Sequence, residues 1–232
     1  MILPFISGDS MRSYTIRPVP STPAPDSDWN DPVWAKAPEA KIDWFHAESE
    51  FFHPRTTARL MTDKKGFHLF FRVEDRHVIA RCTRYQDQVC RDSCVEFFVE
   101  PPGKRGYFNF EFNAAGTLLL FHIQDPQYVN GRFNISKAVP RKLIRDMRIH
   151  ATFKAPVKTE VPGPVVWFLQ AFIPFSVFEE TIGPVSTAPG ATWRGNFYKC
   201  GSDYPHYACW SPVGLLNFHQ PQHFGTLRFA AK

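Results

Sequence analysis

The 232-residue sequence has no long apolar run. Nothing in it approaches the ~20 apolar residues a membrane-spanning helix needs, so no membrane span is expected. Met1 to Ile6 is too short for the apolar region of a signal peptide and lacks a basic flank, so no signal peptide is visible. Charge of one sign is not concentrated either. Lys and Arg total 27 against 22 Asp and Glu, a net charge of +5. The one local basic run, Arg141, Lys142, Arg145 and Arg148, reads as a solvated face, and nucleic acid is not an expected partner. Cysteines are few and poorly spaced for metal: Cys82, Cys90, Cys94, Cys200 and Cys209 are odd in number and none stands in the tight C-x-x-C spacing of a zinc set. His219 and His223 flank Pro221 in a stretch that reads as a loop packed on the last strand, not as metal ligands. Internal repeats, low-complexity runs and phosphate-cradling glycine loops are absent. Ser176, Ser211 and Cys94 have no His and acid arrangement that would activate a nucleophile.

What is present points to strands. Hydrophobic residues make up 44% of the chain, with 23 Phe and 21 Pro, a balance that suits an all-β fold with long loops better than a helical one. One domain spanning 1–232 is expected. The stretch from Asp92 to Gly116 organises the rest: two strands are joined by the turn Pro101-Pro102-Gly103. Alternation assigns their faces. Val95, Phe97 and Val99 share one side with Phe108, Phe110 and Phe112, while Glu96, Asn109 and Glu111 lie on the other. Further strands are expected over 11–17, 42–45, 56–61, 67–73, 117–123, 148–153, 165–173, 192–199 and 224–229. Gly66 is expected to supply a positive φ in the turn before the fourth of these, 74–77 to leave the sheet, 124–132 to form a loop, and Pro174 to start a short helix. Trp34 and Trp44 read as core plugs.

The order of these pieces resembles the family 9 carbohydrate-binding modules and their DOMON-like relatives. The resemblance is carried by F-H-L-F-F-R-V-E-D from Phe67, D-S-C-V-E-F-F-V-E-P from Asp92, Y-F-N-F-E-F-N-A-A-G from Tyr107 and W-F-L-Q-A-F-I-P-F from Trp167, with W-S-P from Trp210 and F-H-Q-P-Q-H-F-G from Phe218 near the end. It implies an antiparallel β-sandwich of jelly-roll type that binds saccharide without chemistry, in an extracytoplasmic setting, with structural calcium possible. Glu96 falls where sugar-binding members place a polar ligand residue. Two positions depart from their pattern: Glu111 stands where a basic residue is expected, and Val89-Cys90 where a Trp would precede the strand.

A pyranose presents apolar C–H faces and polar edges, so a site for it needs aromatic area and a few fixed donors and acceptors. The expected ligand face is Glu96, Asn109, Glu111, Arg194 and Asn196, with Trp210 or a tail tyrosine, Tyr204 above all, as the stacking platform. Tyr85, Trp193, Tyr198 and Tyr207 are further candidates for that platform. Three other readings compete. Glu96 and Glu111 could be the acid and base of a glycosidase, or, beside Arg194, a purely structural network. A haem-binding DOMON-type module is the third, although Met61 and Met147 are the only methionines beyond the first strand.

Overall fold

Successive side chains of a strand point to opposite faces, and the central hairpin obeys this without exception. The computed structural model describes residues 11–49, 52–103, 106–201 and 203–231; the Met1–Ile6 stretch lies outside them. In chain order the strands are β1 (Ser13–Pro18), β2 (Ala40–Ile42), β3 (Trp44–Phe45), β4 (Arg55–Thr62), β5 (Gly66–Ala80), β6 (Cys94–Glu100), β7 (Tyr107–Asn113), β8 (Leu118–Val129) and β9 (Arg132–Ala138). They continue with β10 (Arg148–Ala151), β11 (Val157–Pro174), helix α1 (Phe175–Ile182), β12 (Thr192–Gly201), β13 (His206–Cys209) and β14 (Gly225–Phe229).

These strands form two layers. The first runs β14-β12-β6-β7-β8-β9, with β13 and β3 continuing from the far half of β12, and the second runs β10-β11-β5-β4 with β2 on the edge of β4. β1 joins them, pairing parallel with β14 through 13–16 and parallel with β4 through 17–18. The sandwich is therefore mostly antiparallel, with parallel pairing at this seam. Between the layers lie the inner faces: Val95, Phe97 and Val99 of β6 and Phe108, Phe110 and Phe112 of β7 meet Phe67, Leu69, Phe71 and Val73 of β5. Phe67 packs edge-on against Phe97, Phe175 and Trp193, tying β5, β6, α1 and β12 together. Trp34 is buried as expected, in a satellite cluster with Trp29 and Phe70, whereas Trp44 is only half-buried.

Three departures from the sequence reading have physical causes. Gly66 does not serve a positive φ; a Cβ there would overlap the Ile173 carbonyl, so the strand approach of β11 requires glycine. β5 does not end at Val73 but runs on to Ala80. The chain from 124 onwards continues as a twisted ribbon, β8 into β9, interrupted by bulges and closed by Asn130 and Gly131 at φ 52° and 78°, the Asn-Gly hairpin signal. α1 begins at Phe175 directly after Pro174, as expected.

The extension of β5 rests on a buried ion pair. Asp75 belongs to the inner face of one layer and Lys199 of β12 to the inner face of the other, and their side chains, both fully buried, stand 3.5 Å apart. Trp167 donates its indole N–H to Asp75 at 3.1 Å, and the Arg76 amide donates at 2.9 Å. Lys199 lies 2.6 Å from His206 Nε2 and donates to the Cys200 carbonyl at 3.0 Å. Burial, the largest single influence, would raise the Asp75 pKa, but the Lys199 charge and the hydrogen bonds from Trp167 and the Arg76 amide together outweigh it, and the carboxyl is held below its usual range. The His206 imidazole is kept neutral, its pKa lowered to about 3 by burial and by Lys199, so Nε2 can accept from the ammonium while Nδ1–H donates to the Tyr204 carbonyl. Removing one member of such a pair leaves the other charge stranded, at about 3–5 kcal/mol. Lys199→Met should lower stability in urea unfolding by about that amount, and a loss under ~1 kcal/mol would show that the pair does not hold the layers together.

Candidate functional site

On the outer face of β6, β7 and β12, strand register builds rows of polar side chains. One row crosses from Tyr207 on β13 to Cys200 on β12, Cys94 on β6 and Asn113 on β7; the next runs Cys209, Tyr198, Glu96, Glu111 and Leu119. Residues directly opposite in neighbouring strands hold their Cβ atoms about 4.5–5.5 Å apart, so these groups are within side-chain reach of each other. Sequence alternation placed Glu96, Asn109 and Glu111 on this face, and the structure brings them together there. All three are nonetheless buried.

They are buried because the segment from Trp210 to Phe224 is drawn over the face by residues of the sheet. Asn196 holds Ser211 twice, donating Nδ2 to its carbonyl and accepting its amide, each at 2.8 Å. Tyr198 donates its hydroxyl to the Phe218 carbonyl at 3.0 Å, and its ring stacks on Phe218 at 4.2 Å. Arg194 donates to the Pro221 carbonyl at 2.5 Å and pairs with Glu100 at 3.1 Å. Arg194 and Asn196, expected to touch a ligand, are thus fasteners of the tail. Trp210 is not a platform either: its indole is core, edge-on to Tyr14 and Phe197. Tyr204 lies elsewhere, stacked on His77 at 3.7 Å. Trp193 and Tyr198 are fully buried, and Tyr85 is occupied by the Val139 carbonyl at 2.6 Å.

Where the tail leaves the face uncovered, a pocket of about 290 Å³ remains, lined by Cys90, Arg91, Glu96, Glu111, Cys200, Tyr207, Leu216, Asn217, Phe218 and His219. Tyr207 and Phe218 are its aromatic walls, inclined at 72° with centroids 6.5 Å apart. Leu216 is exposed at 37%, which adds apolar area at the rim. The floor is acidic but not anionic. Burial raises the Glu96 pKa well above the carboxylate range, helped by the neighbouring Cys200 and Glu111. Burial likewise lifts Glu111 to about 8, although Asn109 donates to its Oε1 at 2.7 Å. Protonated carboxyls are both donors and acceptors, as hydroxyl recognition requires. His219 is neutral, its pKa lowered to about 3 by burial, with Nδ1 2.8 Å from the Tyr107 hydroxyl. With Tyr107 donating to Nδ1, Nε2 carries the hydrogen and is a further donor.

A larger groove of about 570 Å³ runs past β2, β3 and β4, but most of its charged side chains are already in ion pairs. Arg72 holds Glu74 at 2.5 Å, Arg59 holds Glu39 at 2.7 Å, and Phe45 is stacked on His53 at 4.0 Å. The pocket over Glu96 and Glu111 joins polar side chains to aromatic walls in one concavity, the combination that marks a small-molecule site.

The sequence model of carbohydrate-binding family 9 matches residues 33–229. The chain belongs to carbohydrate-binding family 9. Among solved structures, this family 9 chain is similar to a protein from Bacteroides uniformis ATCC 8492 that was assigned provisionally to carbohydrate binding, at 29% identity and a TM-score of 0.81, covering 95% of this chain and 100% of that one. A family 9 module from Caldicellulosiruptor kristjanssonii, solved with glucose, matches at 12% identity and a TM-score of 0.61 over 95% of this chain and 97% of its own. The same module solved with cellotriose gives the same identity and score over 95% of each chain. At 12% identity these two matches show the fold. No curated protein matches the chain. No helix among the described residues is long and apolar enough to cross a membrane.

Glu111 couples stability to pH. Its pKa rises from 4.5 to about 8 on folding, so between those values the native state holds a proton that the unfolded chain has released, and stability falls as pH rises. Melting temperature should therefore drop between pH 5 and pH 9, and Glu111→Gln, which keeps an acceptor for Asn109, should flatten that drop and raise the value at pH 9 by several degrees, each kcal/mol being about 2–4 °C at this size. An unchanged slope in the variant would place the ionised carboxylate in the native state.

Proposed function

We propose that this family 9 protein binds a short saccharide, without turning it over, in the pocket between Tyr207, Phe218 and the Glu96–Glu111 floor. The observation that carries the reading is the pairing of aromatic walls with neutral, hydrogen-bonding acids in one concavity of a carbohydrate-binding fold. Ring faces of a sugar would lie against Tyr207 or Phe218; its hydroxyls would meet Glu111, Glu96, Asn217 and the guanidinium of Arg91 at the rim. The volume of about 290 Å³ sits at the low end of the ~300–1,000 Å³ typical of small-molecule sites, which favours one or two sugar rings at a chain end over an extended polymer. The related module bound to glucose and cellotriose supplies the ligand class to try first.

Non-catalytic binding fits the acids better than glycoside hydrolysis. Glu96 and Glu111 are directly opposite on adjacent strands and share one side of the pocket. A glycosidase pair flanks the scissile bond, with one member ionised. The reading also takes the chain as one domain working in an extracytoplasmic setting, where polymeric glycans are met.

Isothermal calorimetry with glucose and cellotriose tests it. Tyr207→Ala and Phe218→Ala should each weaken binding about tenfold, as the loss of ~1.4 kcal/mol of stacking would. Tyr204→Ala, at a distance from the pocket, should bind like the parent. If neither sugar binds, or if Tyr204→Ala weakens binding while the two wall variants do not, the pocket is not the site.

A further inference from the structure

The floor of the pocket holds more than a sugar site needs. Cys94 and Cys200 face each other across β6 and β12, and Glu96 lies two residues along from Cys94 on the same side. Its Oε1 is 3.3 Å from the Cys200 sulfur and 3.9 Å from that of Cys94, and the three ligand atoms all lie within 4.8 Å of one another. This is the one such convergence of three or more His, Cys, Asp or Glu among the described residues. All three side chains are buried, and the partners shown for the Glu96 carboxyl are thiols, which are weak donors.

We propose that Cys94, Cys200 and Glu96 form a binding site for a thiophilic d10 cation, Zn²⁺ in the first instance, at the base of the pocket. The spacing matches the ion. With Zn–S near 2.3 Å and Zn–O near 2.0–2.2 Å, the edges of a tetrahedral site are about 3.8 Å between sulfurs and about 3.5 Å from sulfur to oxygen. The two sulfur–oxygen separations, 3.3 and 3.9 Å, bracket the second value. Two thiolates and one carboxylate would more than balance the ion's charge. Entry is provided by the pocket, because Cys200 and Glu96 line it. Three protein ligands would leave the fourth position of a tetrahedral ion to water, the open arrangement rather than the closed four-ligand structural kind. An oxygen-only calcium site would not use these groups. Binding exchanges the thiol and carboxyl protons for the metal, so it should release protons and weaken towards acid pH.

The test uses the full chain, reduced, with metal alone. Co²⁺ should give a saturable one-to-one near-ultraviolet thiolate charge-transfer band that Zn²⁺ then displaces. Cys94→Ser and Cys200→Ser should each weaken Zn²⁺ binding by more than the ~10–100-fold that loss of a supporting outer-sphere group costs, and Cys209→Ser should leave it unchanged. Because buried cysteine variants can fail to fold, the parent is also alkylated with and without Zn²⁺: slower labelling of Cys200 in the presence of metal, with Cys82 labelled at the same rate, is the expected result. Absence of a saturable thiolate band in the reduced parent overturns the site, as do parent-like affinity in both serine variants or alkylation of Cys200 that ignores Zn²⁺.

Discussion

Everything described here depends on the two-residue period of a strand. On β6, β7 and β12 it sends Phe97, Phe110 and Phe197 inward, where they stack ring against ring, and it sends Glu96, Glu111, Tyr198 and Cys200 outward. A slip of one residue on β6 or β7 would turn Glu96 or Glu111 into the core in place of an aromatic, and one on β12 would turn in Asn196 or Tyr198. The inner faces therefore lock the register, and the register in turn fixes which polar groups become neighbours on the outside. The site is a by-product of packing that the core enforces.

The outer face would be wet were it not for the tail. Tyr198, Asn196 and Arg194 are spent on main-chain atoms of the segment from Ser211 to Pro221, and those bonds convert a polar sheet face into a second, small interior. That enclosure raises the Glu96 and Glu111 pKa values, and it turns two acids that would be ionised on an open sheet into neutral hydrogen-bonding groups. Local polarity is handled differently inside the sandwich, where Asp75 and Lys199 face each other between layers as an ion pair. One carboxyl is paired and another protonated, and the difference is whether a cation sits opposite.

Much of the fold was legible because alternation is a local signal: the faces of the central hairpin, the order of the main strands and the helix after Pro174 can all be read from neighbours in sequence. What could not be read depends on distant partners. Asp75 looks like the end of a strand until Lys199 is placed beside it, and Asn196 looks like a ligand residue until Ser211 is. Trp210 is an apt platform by residue type, but β1 and β12 bury it. The Asn130-Gly131 turn was readable and was masked by the proline and polar residues around it, which an edge ribbon tolerates. Of the expected ligand residues, Glu96 and Glu111 line the pocket and Asn109 orients Glu111, while the walls Tyr207 and Phe218 lie in segments whose path over the sheet is set by tertiary contacts alone. Cys94 and Cys200 carry no spacing signal, since their proximity is a matter of strand register.

The central claim is that the enclosed outer face of this sheet is the carbohydrate site. A crystal structure of the protein with cellotriose tests it most directly. A terminal sugar ring against Tyr207 or Phe218, with a hydroxyl within hydrogen-bond distance of Glu111, is the predicted result; a ring held in the groove beside Phe45 and His53, or against Tyr204 and His77, would contradict it.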